Sequence, residues 1–567
     1  MGCLIMKECF RRYRFLLAAT ILLSIVSSAA YVFIAIVLQR VTDTAVDGNL
    51  SDFREVLVGA VLYLVLIGVL GFVCTAVSKR LTRNVMGLLR GRVFDGLLRQ
   101  NPQSFAACDT ADYISALTND IKLVEENYIL PLIMTLQQGV LFVAALVVLF
   151  TISPLIALCL IGCLVLMLTV PMLFGKALQN RQDALSKALG CFTTKTKGFL
   201  TGYEVIKSYL LDVPIREEFN RQNDRLIHAV ARSDRMLTAN ENISEVLAYL
   251  TLFSGFFIGA YLVIIGTITP GVLLALIQLS SSFVTPLMLI MQNAPRIQGV
   301  MPVLARLESI ADYTDTDFTG TEPAAFTQHI TVRDLHFGYT GSQSVLRGVS
   351  LVLEKGKKYA LAGRSGCGKT TLIRLLCGDH AGYSGSILYD GRELLTLNPD
   401  TLRNLISVIH QNVYLFTDTI RHNICLYRTQ TSEMLHQAVA ASGIAPLIER
   451  LPEGLDTPVG ENGAALSGGE RQRIAVARAL IEQKPLMVLD EGTSAIDMQT
   501  AYDIERRLLS RTDLTLVTIT HNMNAELLGL YDEILYMEDG AIIQRGSLAE
   551  LLASQGAFSR FFYLQTK

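Results

Sequence analysis

The hydrophobic positions of this chain follow two different rhythms. Up to about residue 300 they form long unbroken runs, and from Ile330 onward they form short runs separated by polar turns. The long runs lie at 15–39, 55–78, 129–151, 153–175, 245–267 and 269–291. Each is about 22–25 residues, enough for a helix rising about 1.5 Å per residue to cross a hydrocarbon core of about 30 Å. The first run follows Lys7, Arg11, Arg12 and Arg14, a basic start that a secretory signal peptide also has. A signal core is only about 7–15 residues, so length decides for a retained membrane helix. The pattern predicts a multi-domain chain. An all-α domain of six membrane helices occupies 1–305, a polar linker 306–328, and an α/β domain 329–567.

Charge orients the membrane part. The connection at 40–54 sets Asp43, Asp47 and Asp52 against Arg40 and Arg54, and the turns near Ser153-Pro154 and Thr269-Pro270 are uncharged. The segment 79–128 carries Lys79, Arg80, Arg83, Arg90, Arg92 and Arg99, and 176–244 is similarly basic. Lys and Arg concentrate on the cytoplasmic side of membrane proteins. Both long connections, both termini and the α/β domain are therefore expected in the cytoplasm, with the spans in a bacterial plasma membrane. The long connections have few helix breakers at 85–98 and 185–197, so the membrane helices are expected to run on beyond the bilayer. A short transverse element is expected at each break, around 107–113 and 208–214.

Composition narrows the function classes. Hydrophobic residues are 51 % and charged residues 18 %, below the usual quarter. A net charge of −2 gives no reason to expect nucleic acid as a partner. No ionisable residue sits mid-span, which disfavours a proton relay or ion-driven carrier. The polar residues inside the spans are mild: Ser24, Ser27 and Ser28, then Gln137 and Gln138, then Gln278, Ser280, Ser281 and Ser282. Such residues mostly join helices; the cluster at 278–282 is the expected cavity lining. The ten cysteines show no C-x-x-C pair and read as free thiols.

The second half carries the chemistry. Gly363-Arg364-Ser365-Gly366-Cys367-Gly368-Lys369-Thr370-Thr371 fits G-x-x-x-x-G-K-[ST] at every fixed position. Lys358–Ala362 before it reads as a buried strand, and the residues from Thr371 read as a helix. Strand, glycine turn and helix N-terminus together make a nest of N–H groups for phosphate. Lys369 would reach the β- and γ-phosphates of ATP, and Thr370 would ligate Mg²⁺. Pro485–Glu491 reads as a buried parallel strand ending in two acids: Asp490 for the Mg²⁺ shell, Glu491 as general base for an attacking water. Leu466-Ser467-Gly468-Gly469-Glu470 precedes an amphipathic helix and offers a second anion-binding N-terminus.

With these motifs in this order behind six spans, the whole chain resembles an ATP-binding cassette transporter of the fused half-transporter type. The resemblance implies roles residue by residue. Tyr339 stacks on adenine, Gln411 reaches Mg²⁺ and the γ-phosphate, Asp497 lies in the loop that crosses the cassette dimer, and His521 contacts the γ-phosphate. It also implies that Ser467, Gly468, Gly469 and Glu470 close over ATP held by a second copy or a different half-transporter. The transverse elements become coupling helices, met by the loop Thr457–Gly463. His410, Glu470 and Gly492 depart from commoner family residues without removing a catalytic group. The expected activity is ATP-driven export of a hydrophobic or amphipathic drug, lipid or peptide. Two rivals stay open: uptake on the same fold, and an ATP-gated channel or sensor.

Overall fold

The computed structural model describes residues 4–314, 318–339, 344–410, 413–490, 498–521 and 523–566, with backbone alone at 168, 170–176, 178, 179, 182, 283, 498–500 and 566. Its contacts divide the chain into two units, Met1–Leu98 with Asp109–Tyr313, and Arg99–Cys108 with Thr314–Lys567.

The first unit is helical throughout. After α1 (Leu4–Arg12) come α2 (Arg14–Val46) and α3 (Leu50–Arg99), then the short α4 (Pro102–Ala106), which belongs to the second unit. The helix α5 (Thr110–Ile152) contains two π turns, at Ala116–Asp120 and Glu125–Ile129. Next are α6 (Pro154–Thr201), α7 (Tyr203–Ser208), α8 (Asp212–Ile264) and α9 (Pro270–Ala311). Among the described residues, α2, α3, α5, α8 and α9 are long and apolar enough to cross a membrane. The expected fourth span falls in α6, whose described apolar part is Pro154–Met167. Helices of about fifty residues leave ample length beyond a bilayer. The apolar window of α3 has none of its residues buried within the chain. Phe72 is 76 % exposed, a face made for lipid.

The helix ends follow ordinary capping chemistry. Ser153 and Thr269 accept from Ile156 and Val272 N–H, each with a proline in the first turn, where its missing N–H costs nothing.

Three expectations need correction. The short helix before the second half of the first connection is Pro102–Ala106, not 107–113. Asn101 accepts from Ser104 N–H at 2.8 Å and Pro102 starts the first turn, so the helix begins earlier. In the second connection the short helix is Tyr203–Ser208 and the break is 209–211, with Leu210 at φ 54°. Pro214 sits in the first turn of α8, where proline is tolerated. Likewise α9 continues to Ala311, six residues into the stretch read as linker.

The second unit holds two sheets. Strands β1 (His329–Phe337), β2 (Leu346–Glu354), β4 (Ser384–Tyr389) and β5 (Arg392–Glu393) form an antiparallel sheet in the order 2-1-4-5. The other sheet runs 10-9-3-8-7-6. It is built from β3 (Lys358–Gly363), β6 (Ile406–Ile409), β7 (Leu486–Asp490), β8 (Thr515–Ile519), β9 (Glu533–Glu538) and β10 (Ala541–Gly546). Strands 6, 7, 8, 3 and 9 are parallel. Strand alternation splits their side chains between two cores. Ala360, Ala362, Met487, Leu489 and Leu516 face one, and Tyr359, Leu361, Leu486, Val488, Val517 and Ile519 face the other. Buried on both faces, these strands hold their C-terminal ends rigidly at one edge, where the glycine loop begins.

Candidate nucleotide site and membrane cavity

The glycine loop leaves the end of β3 and enters α10 (Lys369–Leu376). Three glycines carry its shape, with Gly363 at φ +154°, Gly366 at +83° and Gly368 at +102°. A Cβ on Gly363 would fall 2.2 Å from the Met537 carbonyl oxygen, whereas one on Gly366 would meet nothing within 4 Å. The first glycine is thus required by packing and the second by conformation, and the loop's outer side is open to a ligand.

Lys369 is 5 % exposed. Its ammonium donates to the carbonyls of Gly363 at 2.9 Å and Arg364 at 3.0 Å and lies 3.9 Å from Cys367 Sγ. Among the described residues no carboxylate forms an ion pair with it. A buried ammonium held only by neutral acceptors is a charge in need of an anion. Burial pushes the Cys367 thiol up, opposed by Lys369.

Thr370 Oγ1 donates to Asp490 Oδ1 at 3.1 Å. Asp490 ends β7, which lies one strand away from β3 with β8 between them, all three parallel, so its end reaches the same edge of the sheet as the glycine loop. A hydroxyl and a carboxylate meeting at the rim of the phosphate loop form a hard-oxygen pair of the kind Mg²⁺ uses. Tyr339 packs edge-on against Phe337 and His380, and its hydroxyl lies 3.3 Å from Thr371 Oγ1. His521 follows β8 and is half-buried. Arg364, Ser365 and Thr371 lie where the motif puts them, in the loop and on α10.

The signature helix α11 (Gly468–Ile481) starts with a capping box. The Ser467 hydroxyl donates to Glu470 Oε2 at 2.8 Å, and Glu470 N–H donates back to Ser467 Oγ at 3.3 Å. Ser467 N–H also donates to that carboxylate at 2.8 Å, which chiefly holds the Glu470 carboxyl below its ordinary range. Gly468 and Gly469 form the first helical turn. Arg478, further along, donates to the carbonyls of Asn423 and Tyr414 and anchors the helix. Gln411, Glu491 and Asp497 lie outside the described residues.

Two neighbours of the site were not legible as motifs. His380 is buried, and its Nδ1 lies 3.0 Å from Gln103 Oε1 of α4. Neither residue belongs to a pattern with a sequence signature.

In the helical unit the polar cluster divides. Ser280 is buried and donates to Leu276 O at 2.7 Å, close against Gly255, a packing role. Ser281 and Ser282 instead line a cavity of about 370 Å³, opposite Ser24, Ser28, Gln137 and Gln138.

The residues 17–287 match the family model described as the ABC transporter transmembrane region, and 346–494 match the one described as ABC transporter. The ATP-dependent lipid A-core flippase of Vibrio cholerae serotype O1 is 28 % identical over 562 residues, covering 98 % of this chain and 96 % of that protein. The protein of the same name from Syntrophus aciditrophicus is 27 % identical, covering 93 % and 88 %. A solved structure described as a bacterial Atm1-family ABC exporter with ATP bound superimposes with a TM-score of 0.85 over 98 % of each chain. At 22 % identity it speaks for the fold. With both regions matched in tandem, the chain belongs to the ABC transporters, integral membrane proteins in which ATP hydrolysis is coupled to transport.

Proposed function

We propose that this chain is one half of a dimeric exporter that uses ATP to move a lipid-like, amphipathic molecule outward across the membrane. The observation that carries the energy-coupling part is Lys369, a buried ammonium that among the described residues donates to the carbonyls of Gly363 and Arg364 and to Cys367 Sγ, next to the Thr370–Asp490 pair. The substrate class is supported by relatives named lipid A-core flippases and by spans without a central charge.

In this reading the loop N–H groups and Lys369 bind the β- and γ-phosphates, and Tyr339 stacks on the adenine. Thr370, Asp490 and Gln411 would hold Mg²⁺, which when bound neutralises charge on the phosphoryl oxygens. Glu491 takes a proton from the attacking water, and His521 steadies the γ-phosphate. Ser467–Glu470 of a second cassette, with Asp497, completes each site, so ATP binding favours the closed dimer. Export follows because the closed dimer is the state ATP binds best, and hydrolysis releases it. Basic connections at 79–128 and 176–244 support a cytoplasmic cassette and cytoplasmic termini.

The test uses proteoliposomes with cassettes facing outward and a fluorescent phospholipid in both leaflets. ATP should move the probe to the luminal leaflet, and Glu491→Gln should bind ATP without moving it. Movement toward the cassette side would reverse the direction, and ion conductance without lipid movement would replace export with gating.

A further inference from the structure

The helix that follows Asp497 carries a buried acid that the proposed chemistry does not use. This helix, α12 (Met498–Leu509), lays Ile504, Leu508 and Leu509 into the core shared with Leu489, Leu516 and Ile534 of the parallel sheet. Glu505 lies beside them and is only 3 % exposed. A position that the helical periodicity reserves for a hydrophobic side chain holds a carboxyl group.

Among the described residues its hydrogen-bond partner is Tyr531, also buried, whose hydroxyl donates to Glu505 Oε1 at 2.5 Å. No Lys, Arg or His among the described residues bears on the carboxyl, and burial pushes its pKa up. A charge there would stand unpaired in an apolar core, so the folded protein holds the neutral acid. Tyr531 is fixed from its other side. Asp532 N–H donates to Lys358 O at 2.9 Å, and Lys358 N–H donates back to Asp532 Oδ2 at 2.7 Å. Lys358 starts β3, the strand that leads into the glycine loop. Thr518 of β8, three residues before His521, also faces the Tyr531 hydroxyl. Apolar contacts tolerate a small slip of a helix, but a buried hydrogen bond holds in one register and is costly to leave unmade.

Chain order shows what α12 can position. β7 ends at Asp490 and α12 starts at Met498, so Glu491 and Asp497 belong to the segment strung between them. The sheet sets one end of that segment and α12 sets the other. Lys369 and the loop N–H groups, assigned to ATP binding, hang instead from β3 and α10.

We propose that the Glu505–Tyr531 bond is a positioning contact for ATP hydrolysis, setting α12 so that Glu491 and Asp497 are held correctly toward the γ-phosphate and His521. Glu505 touches no substrate, and its influence falls on turnover, not on ATP binding. The roles of Glu491, Asp497 and His521 are those of the proposed function, on which this inference rests.

The experiment measures steady-state ATPase and melting of the full-length protein in nanodiscs. A double variant, Glu505→Leu with Tyr531→Phe, removes both partners together. No polar group is then stranded, and Tm should stay near the wild type. Its kcat should fall about five- to tenfold while KM for ATP stays within about twofold, the mark of a group that acts after binding. Glu505→Gln keeps a neutral acceptor for Tyr531 and should retain most of the kcat. Tyr531→Phe alone keeps the ring and should show the same split, so it carries the test if the double variant fails to fold. A wild-type kcat in the double variant or in Tyr531→Phe, or kcat and KM worsening together, overturns the proposal. So does a Glu505→Gln protein as slow as the double variant, since the hydrogen bond would then not set the rate. Wild-type turnover in Glu491→Gln beside a slow double variant would leave the positioning role standing and remove Glu491 as the base.

Discussion

His380 Nδ1 lies 3.0 Å from Gln103 Oε1, and the same imidazole stands edge-on to Tyr339 with ring centres 5.4 Å apart. Tyr339 in turn reaches Thr371 at the start of the phosphate-loop helix. One buried ring thus ties the short helix α4 to the aromatic expected to hold adenine. His380→Ala should loosen Tyr339 and raise the apparent KM for ATP about three- to tenfold, from one hydrogen bond and one aromatic contact. Gln103→Ala keeps the aromatic packing and should raise KM less. ATPase titrations of both variants check the order; a His380→Ala enzyme with the wild-type KM would remove the positioning role.

Acidity should act through the same ring. Burial is the largest influence on His380 and lowers its pKa below the ordinary value near 6.5, with Asp379 opposing. The unfolded chain then binds the proton more readily than the folded one. Stability from the neutral ring is therefore complete above about pH 6.5 and is lost as pH falls below it. Asp379, raised chiefly by burial, contributes with the opposite sign. Melting temperatures across mildly acidic pH should fall in the wild type and fall less in His380→Gln. Parallel curves would assign the acid sensitivity elsewhere.

The Thr370–Asp490 pair predicts a metal dependence. Asp490→Asn keeps the shape but loses the charge that draws Mg²⁺ to the rim of the loop. Hydrolysis should drop by about 100-fold or more, with partial recovery at high Mg²⁺. Chelation of wild-type protein should give a similar loss. Retained turnover after chelation would separate this pair from the metal.

These predictions draw unevenly on the sequence. The glycine loop was legible because its backbone angles admit almost only glycine, and the strand before Asp490 because a strand buried on both faces must be apolar throughout. The short helices differ from their expected ranges because Asn101-Pro102 is a start signal, and because the expected break at 208–214 includes Pro214, which sits inside the first turn of α8. The cavity was half legible. Ser281 and Ser282 stood out, but pairing with Ser24 and Gln138 depends on helix rotation, which spans apolar on every side do not encode. His380 and Gln103 carried no signal, since their contact joins positions 277 residues apart.

Cys367 predicts a slow thiol. Burial raises its pKa and leaves little thiolate at neutral pH, although Lys369 opposes the shift. Maleimide should label exposed Cys108 well before Cys367, and the lag should shorten as pH rises. ATP should protect Cys367, and Cys367→Ala should abolish the ATPase inhibition that labelling causes. Equal labelling rates at neutral pH would contradict the burial.

The last prediction concerns two glycines on α3. A Cβ on Gly96 would fall 2.1 Å from the Ile310 carbonyl oxygen and 2.7 Å from Ala311 Cα, so α3 and α9 touch there through backbone. Gly91 meets nothing within 4 Å. Both sit inside a helix, where alanine is favoured over glycine by about 1 kcal/mol. At Gly91 that gain stands alone, and Gly91→Ala should raise Tm slightly. At Gly96 the clash is with main chain, which has no rotamer to escape into. The cost of about 1–3 kcal/mol or more outweighs the propensity gain, and Gly96→Ala should lower Tm. With no tryptophan in the chain, far-UV circular dichroism is the practical readout. Opposite shifts from the same substitution five residues apart would show that contact with α9, not helix propensity, decides which glycine is needed.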